Sequence, residues 1–208
     1  MESGTNPSDA TSLELCLDFA DTVDWRKSDA AKETLSNYGD LVAWGRKKGL
    51  LGQGQAERLE KLARANGSIE EEVMREAYRL REAIFRVFSA SAHERRADSR
   101  DVEILNEYLA KGSAKMMVQP TGKGFRWAWR DDSSADLMLF PVARSAADLL
   151  TSEDLARVKE CANEEQGCGW LFLDSSKSQT RKWCSMESCG NRMKFRAYYD
   201  RHNRPRSA

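Results

Sequence analysis

Residues 161–192 read CANEEQGCGWLFLDSSKSQTRKWCSMESCGNR and contain four of the five cysteines in this 208-residue chain. The four form two pairs separated by 15 residues, and they are Cys161, Cys168, Cys184 and Cys189. Two thiol pairs at this separation are typical of a closed zinc site, because four thiolates saturate a tetrahedral ion and leave no position for a catalytic water. The spacing therefore predicts one structural Zn²⁺ ion per chain.

Apolar residues are few in this segment and lie mainly at Trp170, at Trp183 and in the run Leu171–Leu173. A core of that size is too small to fold alone. Zinc binding worth on the order of 10 kcal/mol would supply the missing stability. We therefore predict a metal-dependent module over residues 161–202, followed by a basic tail at 203–208.

The charge of the chain is distributed unevenly, although its formal net charge is zero. Residues 177–208 contain nine Lys or Arg and two acidic residues, so residues 1–176 carry a net charge of −7. A basic segment attached to an acidic body predicts an anionic partner that contacts the segment alone. Salt bridges from the basic residues to the body are the alternative. The side chains predicted to bind DNA are Lys177, Arg181, Lys182, Asn191, Arg192, Lys194, Arg196 and Arg201.

A helix is expected to begin at Cys189 and to end near Arg201. At roughly 100° per residue, this helix carries two groups of basic side chains on different sides. The first group is Arg192 and Arg196, and we expect it to contact base edges or phosphates. The second group is Lys194 and Arg201, and we expect it to contact the nucleic-acid backbone.

Hydrophobic periodicity predicts a helical body upstream of residue 160. Its clearest helix begins at Ser68, which forms a capping-box pattern with Glu71, and apolar residues then recur every three or four positions as far as Ala92. Alternating aromatic and polar residues predict a β-hairpin near 115–130. Pro141 is expected to kink the last long helix of the body or to mark an irregular turn. The other helices are expected at about residues 13–23, 34–48, 55–65, 99–110, 134–150 and 152–159.

The predicted fold class is mainly α with one small β-hairpin (α+β), followed by a small four-cysteine zinc-finger module. A disordered leader is expected at residues 1–10 and the helical domain at 11–160. No run of 18 apolar residues is present, and the first ten residues are polar and acidic. These features predict a cytoplasmic protein with neither a membrane segment nor a signal peptide. In a reducing compartment, clustered cysteines bind metal more often than they form disulfides.

The body contains no persuasive catalytic set, so we predict no enzyme activity and no catalytic residues. The chain has two histidines, His93 and His202, so few residues could act as the base of a histidine-based triad. Asp18, Asp21 and Asp24 are expected on a solvated face, with a metal-binding or acid–base role as the alternative. Four tryptophans could line a small-molecule pocket between helices and hairpin, although such residues more often belong to the core. They are Trp25, Trp44, Trp127 and Trp129.

The motifs at residues 168–174, 181–186 and 189–192 resemble the CGNR zinc finger, a family named after the last of these three. The body resembles the ABATE domain, through Leu-Cys-Leu-Asp-Phe at 15–19 and Pro-Val-Ala-Arg-Ser-Ala-Ala-Asp-Leu-Leu at 141–150. Members are described as stress-related bacterial transcription regulators, and their finger is described as DNA-binding. The resemblance therefore implies a bacterial stress-response regulator that contacts DNA through its finger.

Two functions of different classes follow from these observations. The leading hypothesis is a zinc-dependent transcription regulator that binds duplex DNA. Its N-terminal helical domain would sense a signal, such as a small-molecule effector, or mediate assembly, such as homodimer formation. The alternative is a zinc-stabilised protein-interaction module that docks on an acidic protein partner. Competition by unrelated duplex DNA would distinguish the two, whereas both predict strong salt dependence.

Overall fold

The computed structural model describes residues 12–65, 67–130 and 134–203. The expected leader at 1–10 and the tail residues 204–208 lie outside the described residues. The described chain contains seven α-helices and three two-stranded antiparallel sheets. The helices are α1 Leu15–Ala20, α2 Tyr38–Lys47, α3 Gln53–Ala65, α4 Gly67–Ala92, α5 Ser99–Ser113, α6 Leu139–Leu150 and α7 Asn191–Asn203. The strands are β1 Val23–Asp24, β2 Lys32–Glu33, β3 Met116–Thr121, β4 Gly124–Trp129, β5 Val158–Glu160 and β6 Leu171–Leu173.

Helix α4 is the element around which the body packs, since α1, α2, α3, α5 and α6 all contact it. Its apolar positions are buried at the spacing that predicted the helix, for example at Ala77, Leu80, Ile84 and Phe88. Each large apolar side chain buried in this way contributes about 1.5–3 kcal/mol. The predicted fold class is confirmed: the chain is mainly helical, with small hairpins and a C-terminal cluster of four cysteines.

Helix α6 begins later than the sequence predicts. It starts at Leu139, so Pro141 lies in the first turn, where its missing N–H has no helical partner to lose and no kink is needed. The buried Ser145 hydroxyl on α6 accepts a hydrogen bond from the Cys16 backbone N–H at 3.0 Å. This contact ties α6 to α1. Cys16 is fully buried, and burial raises the pKa of its thiol to about 12, so this cysteine behaves as a small core residue.

The predicted hairpin is formed by β3 and β4, in a register that pairs Val118 with Trp127 and Pro120 with Phe125. Trp129, at the base of the hairpin, packs against Phe140 on α6. The outer part of the hairpin leaves Phe125 78% exposed. The hairpin therefore joins the body at one end only.

A second hairpin, β5–β6, replaces the short helix expected at 152–159. Residues Glu153–Arg157 form a single 3₁₀ turn, and the chain then extends into β5, which pairs with β6 in an antiparallel register. The reason lies in the apolar side chains, because Val158 and Leu171 are buried in the main core of the body. Extended pairing buries both of them, and the hairpin leads from the body directly into the cysteine-rich segment.

Candidate metal centre and nucleic-acid interface

The β5–β6 hairpin positions the first cysteine pair. Cys161 follows β5 directly, and its backbone N–H donates to the Trp170 carbonyl at 2.8 Å. Cys168 lies on the opposite side of the connecting loop, between Gly167 and Gly169, which both have φ of +67°. This left-handed backbone favours glycine. The loop therefore turns sharply enough to bring the two buried thiols to the same end of the hairpin.

The second cysteine pair lies in the turn that precedes α7. The Ser185 side chain accepts a hydrogen bond from the Ser188 N–H at 3.3 Å and fixes the start of the turn Met186–Gly190. A side chain at Gly190 would place its Cβ 2.9 Å from the Met186 sulfur, so the turn is closely packed. Cys189 is buried inside this turn, and α7 begins two residues after it.

The four Sγ atoms lie within 4.8 Å of one another. Cys184 Sγ is 3.7 Å from Cys168 Sγ and 3.8 Å from Cys189 Sγ. A tetrahedral zinc ion with Zn–S bonds of about 2.3 Å requires its ligands to lie about 3.8 Å apart. The four sulfurs, Cys161 included, therefore have the chemistry and the separation of a structural zinc site, and zinc is the cofactor of this chain.

Backbone and side-chain N–H groups point at the sulfurs. The Cys184 backbone N–H donates to Cys161 Sγ at 3.4 Å, and the Asn163 side-chain amide donates to Cys189 Sγ at 3.3 Å. Asn163 is fully buried, and its amide also donates to Gln166 Oε1 at 3.1 Å. Hydrogen bonds to sulfur favour the thiolate form, which is the form that binds metal. Sequence reasoning missed Asn163, although a short amide two residues after a ligand was a usable signal.

The cluster needs a cation if all four sulfurs are to be ionised. Hydrogen bonds from the neighbouring Cys168 and Cys184 thiols lower the pKa of Cys161. The same contacts raise the pKa of Cys168 and of Cys184 above the ordinary value for a thiol. A divalent ion compensates the repulsion among thiolates, which fits this donor set.

A loop of the body forms one wall of the metal centre. Trp25 packs against the cysteine cluster beside Trp170 and Trp183. The next two residues bind the first cysteine loop, since the Arg26 N–H donates to the Cys168 carbonyl at 3.2 Å and the Lys27 N–H donates to the Gly167 carbonyl at 2.9 Å. We refer to residues 25–28 as the docking loop.

Asp21 also joins the body to the finger, and its expected place on a solvated face is wrong. Its carboxylate accepts a hydrogen bond from the Leu171 N–H on β6 at 2.9 Å. Burial raises the pKa of this carboxyl well above its usual range, while the hydrogen bond partly offsets that effect. The reason is tertiary, because a strand 150 residues later in the chain covers Asp21.

Asp174 organises the loop between β6 and Cys184. Its buried carboxylate accepts hydrogen bonds from Lys159 Nζ at 2.6 Å and from the Arg181 N–H at 2.9 Å. Contact with Lys159, followed by bonds from Ser176, holds the pKa of Asp174 well below its usual range. The loop therefore has a fixed shape that depends on an ionised carboxylate, a role that the sequence did not indicate.

The structure places the predicted DNA-binding residues in different surroundings. Arg181 is part of the finger itself, since its guanidinium donates to the carbonyls of Trp183 and Cys184 and lies 4.6 Å from the centre of the Phe172 ring. This half-buried arginine therefore stabilises the backbone at a metal ligand, a role that the sequence did not indicate. Asn191 donates to the Glu187 carbonyl at 3.4 Å while remaining exposed.

The remaining basic residues lie at the surface. Arg192 stacks on the Trp25 ring at 4.8 Å, and Arg196 forms an ion pair with Glu165 at 2.6 Å. Both are nevertheless exposed. The other exposed cations are Lys177, Lys182, Lys194 and Arg201. The structure thus brings Arg192, Lys194, Arg196 and Arg201 together on α7 and leaves Lys177 and Lys182 on the loop before it.

The four tryptophans expected to line a pocket are divided between separate places. Trp25 packs on the metal centre, whereas Trp44 and Trp129 pack against the core of the body. Trp127 is 49% exposed on the hairpin. The expected pocket is therefore not formed by these residues in the described part of the chain, because two of them are core and one covers the cysteines.

None of the helices in the described ranges is both long and apolar enough to span a membrane. Among curated proteins, no significant match to the chain is found. Residues 157–202 match the CGNR zinc finger, and residues 13–153, more than half of the chain, match ABATE, whose description is "Putative stress-induced transcription regulator". The resemblance drawn from the sequence motifs is therefore confirmed, and the chain belongs to the ABATE family and carries a CGNR zinc finger.

Proposed function

We propose that this protein is a transcription regulator whose zinc centre orients the basic helix α7 toward duplex DNA. The description of its family supports the regulatory role. The observation that carries the DNA contact is the continuity between metal site and helix, because α7 begins two residues after the ligand Cys189. All side chains at residues 194–202 are exposed. Zinc therefore fixes the direction of a helix whose surface is available to a partner.

The charge distribution supports an anionic partner for this helix. Lys194 and Arg201 on α7, and Lys177 and Lys182 before it, are exposed cations on a finger attached to an acidic body. Phosphates attract the finger and repel the body, which limits DNA contact to the finger. The zinc ion has a structural role in this proposal, since four thiolates leave no open position for a reacting group, and no enzyme activity is proposed.

The helical body has a separate role in this proposal, which is to sense a signal or to mediate assembly. Its contacts with the finger support such a role. Trp25 of the docking loop lies against the cysteines and under Arg192, at the start of α7. A change in the body that moves this loop would therefore alter the support of the DNA-binding helix.

The test is selection of bound fragments from genomic DNA by the full-length zinc-loaded protein, with and without a chelator. We expect enrichment only with zinc. Replacing Lys194 and Arg201 with Ala should reduce the slope of log K against log salt by about 0.9 for each phosphate that the variant no longer neutralises. The matched control replaces Arg46 and Lys47, two exposed basic residues of α2, and should leave the slope unchanged. Absence of enrichment, together with equal displacement by polyglutamate, would favour the acidic-protein partner instead.

A further inference from the structure

Helix α7 presents a row of aromatic side chains to solvent. Phe195, Tyr198, Tyr199 and His202 follow the spacing i, i+3, i+4 and i+7, which places them on one side of the helix. Phe195 is 72% exposed, Tyr198 55% and Tyr199 57%. The rings of Tyr198 and His202 stack at 3.9 Å. We refer to these four residues as the aromatic stripe.

Cations border the aromatic stripe on both sides. At roughly 100° per residue, Lys194 and Arg201 lie along one border and Arg192 and Arg196 along the other. The opposite side of the helix carries Asp200, the one acidic residue of α7. An apolar strip between two rows of positive charge is thus the surface that α7 offers to a partner.

This charge pattern excludes a second copy of the chain as the favoured occupant. Packing two stripes against each other would bring the cations of one copy beside those of the other, which is destabilising. The segments outside the described residues do not fit the stripe either. Residues 1–11 and 131–133 are mainly polar, and 204–208 contains two further arginines. The partner should therefore carry two rows of negative charge, and the surface between these rows should accept apolar contact.

The major groove of duplex DNA has this arrangement. It is about 12 Å wide and admits an α-helix, whose diameter with side chains is about 10–12 Å. Its two walls are lines of phosphates, and its floor presents base edges that include the methyl group of thymine. A helix of this kind can place cations on both walls while the aromatic stripe faces the floor.

We infer that the aromatic stripe is the base-contacting surface of α7, with Phe195 and Tyr199 packing against thymine methyl groups. This inference rests on the proposed DNA-binding function and changes the residues assigned to base contact. Arg192 and Arg196, expected from sequence to reach base edges, already contact Trp25 and Glu165 and stand at the border of the stripe. These contacts hold both side chains away from the stripe itself.

The experiment compares two fluorescein-labelled duplexes of identical mixed sequence, one with thymine and one with deoxyuridine in its place. Full-length zinc-loaded protein should bind the thymine duplex more tightly, by about fourfold for each methyl group buried. Replacing Phe195 and Tyr199 with Ala should bring this preference close to one and weaken binding by about tenfold or more, with an unchanged salt slope. The variant Phe125→Ala, equally exposed on the β3–β4 hairpin, should behave as wild type.

A second variant distinguishes the role of the aromatic stripe from the role of the cations that border it. Replacing Lys194 and Arg201 with Ala should lower the salt slope and keep the thymine preference. Zinc content and helix content by circular dichroism should be the same in all variants. If the stripe variant keeps the thymine preference, the inference is overturned, although DNA binding itself stands. If the wild-type protein binds neither duplex, the proposed function fails as well. The inference would also be overturned if the wild-type protein self-associates in sedimentation experiments and the stripe variant does not, because the stripe would then bind a second copy.

Discussion

The contact between the docking loop and the first cysteine loop can be tested at a single glycine. A Cβ at Gly167 would lie 2.6 Å from the backbone carbon of Lys27 and from the backbone nitrogen of Ser28. These atoms belong to one peptide group of the docking loop, which has no side chain that could move aside, so Gly167→Ala must separate the two loops. Gly169 has the same φ of +67°, but the nearest atom that a Cβ there would meet belongs to the Lys27 side chain, at 3.2 Å.

The expected cost has two parts. A left-handed backbone costs a non-glycine residue about 1–2 kcal/mol. Separation of the loops also removes the hydrogen bonds from the Lys27 and Arg26 N–H groups, each worth about 0.5–1.5 kcal/mol. Gly167→Ala should therefore lower the free energy of unfolding by about 2–5 kcal/mol. Gly169→Ala should cost about 1–2 kcal/mol, because only the backbone conformation is penalised there.

The assay is urea unfolding of the zinc-loaded chain, followed by circular dichroism, with zinc affinity measured by competition with a chromophoric chelator. Gly49→Ala is the matched control, since Gly49 has φ of +72° and a Cβ there would meet no atom within 4 Å. It should cost as much as Gly169→Ala and leave zinc affinity unchanged, whereas Gly167→Ala should weaken zinc binding. If Gly167→Ala were no more destabilising than Gly49→Ala, the close approach of the loops would be refuted.

Three further predictions concern the metal centre. Elemental analysis should find one zinc per chain, and Cys184→Ser or Cys189→Ser should abolish it, because three thiolates no longer close the site. Asn163→Ala should reduce zinc affinity by about 10–100-fold in a chelator competition. Because zinc binds the folded chain, the free energy of unfolding at a fixed free zinc concentration should fall by about 1.4–2.7 kcal/mol. Because the folded-state pKa of Asp174 is lowered, its carboxylate stabilises the fold above an unfolded-state pKa of about 3.9, and this contribution disappears as the pH falls. Asp174→Asn should therefore destabilise the protein at neutral pH, and its difference from wild type in unfolding experiments should begin to shrink only below about pH 4.

The metal ligands and the main helices could be predicted from the sequence because their signals are local. Four thiols in two pairs have few other uses in a short segment, and zinc chemistry requires little beyond their spacing. Helix α4 was predictable because a run of 26 residues repeats its apolar positions many times. Short strands carry no such repetition. The three residues of β5 became a strand only because β6, eleven positions further along, offered a partner that buries Val158 and Leu171.

The surroundings of the metal were less predictable, because they depend on contacts between distant parts of the chain. The sequence suggests a pocket residue at Trp25, yet this ring covers cysteines more than 130 positions later. Counting charges places Arg181 among the exposed cations. The count does not reveal that the guanidinium of this residue donates to backbone carbonyls. Gly167 carried a usable signal, because it directly precedes a ligand. Its requirement for glycine, however, arises from the backbone of Lys27 and cannot be inferred from its neighbours.

These contacts make the zinc finger part of the body's own packing. The sheet β5–β6 has one strand before Cys161 and one after Cys168, and both strands bury side chains in the main core. Arg26 of the docking loop donates to Glu82 on α4 at 2.5 Å and lies 4.3 Å from the centre of the Phe85 ring, so the central helix supports the loop that covers the cysteines. The adjacent Trp25 in turn supports Arg192 on α7. A displacement of the docking loop therefore cannot occur without changing contacts at α4, at the metal centre and at the base of α7 together.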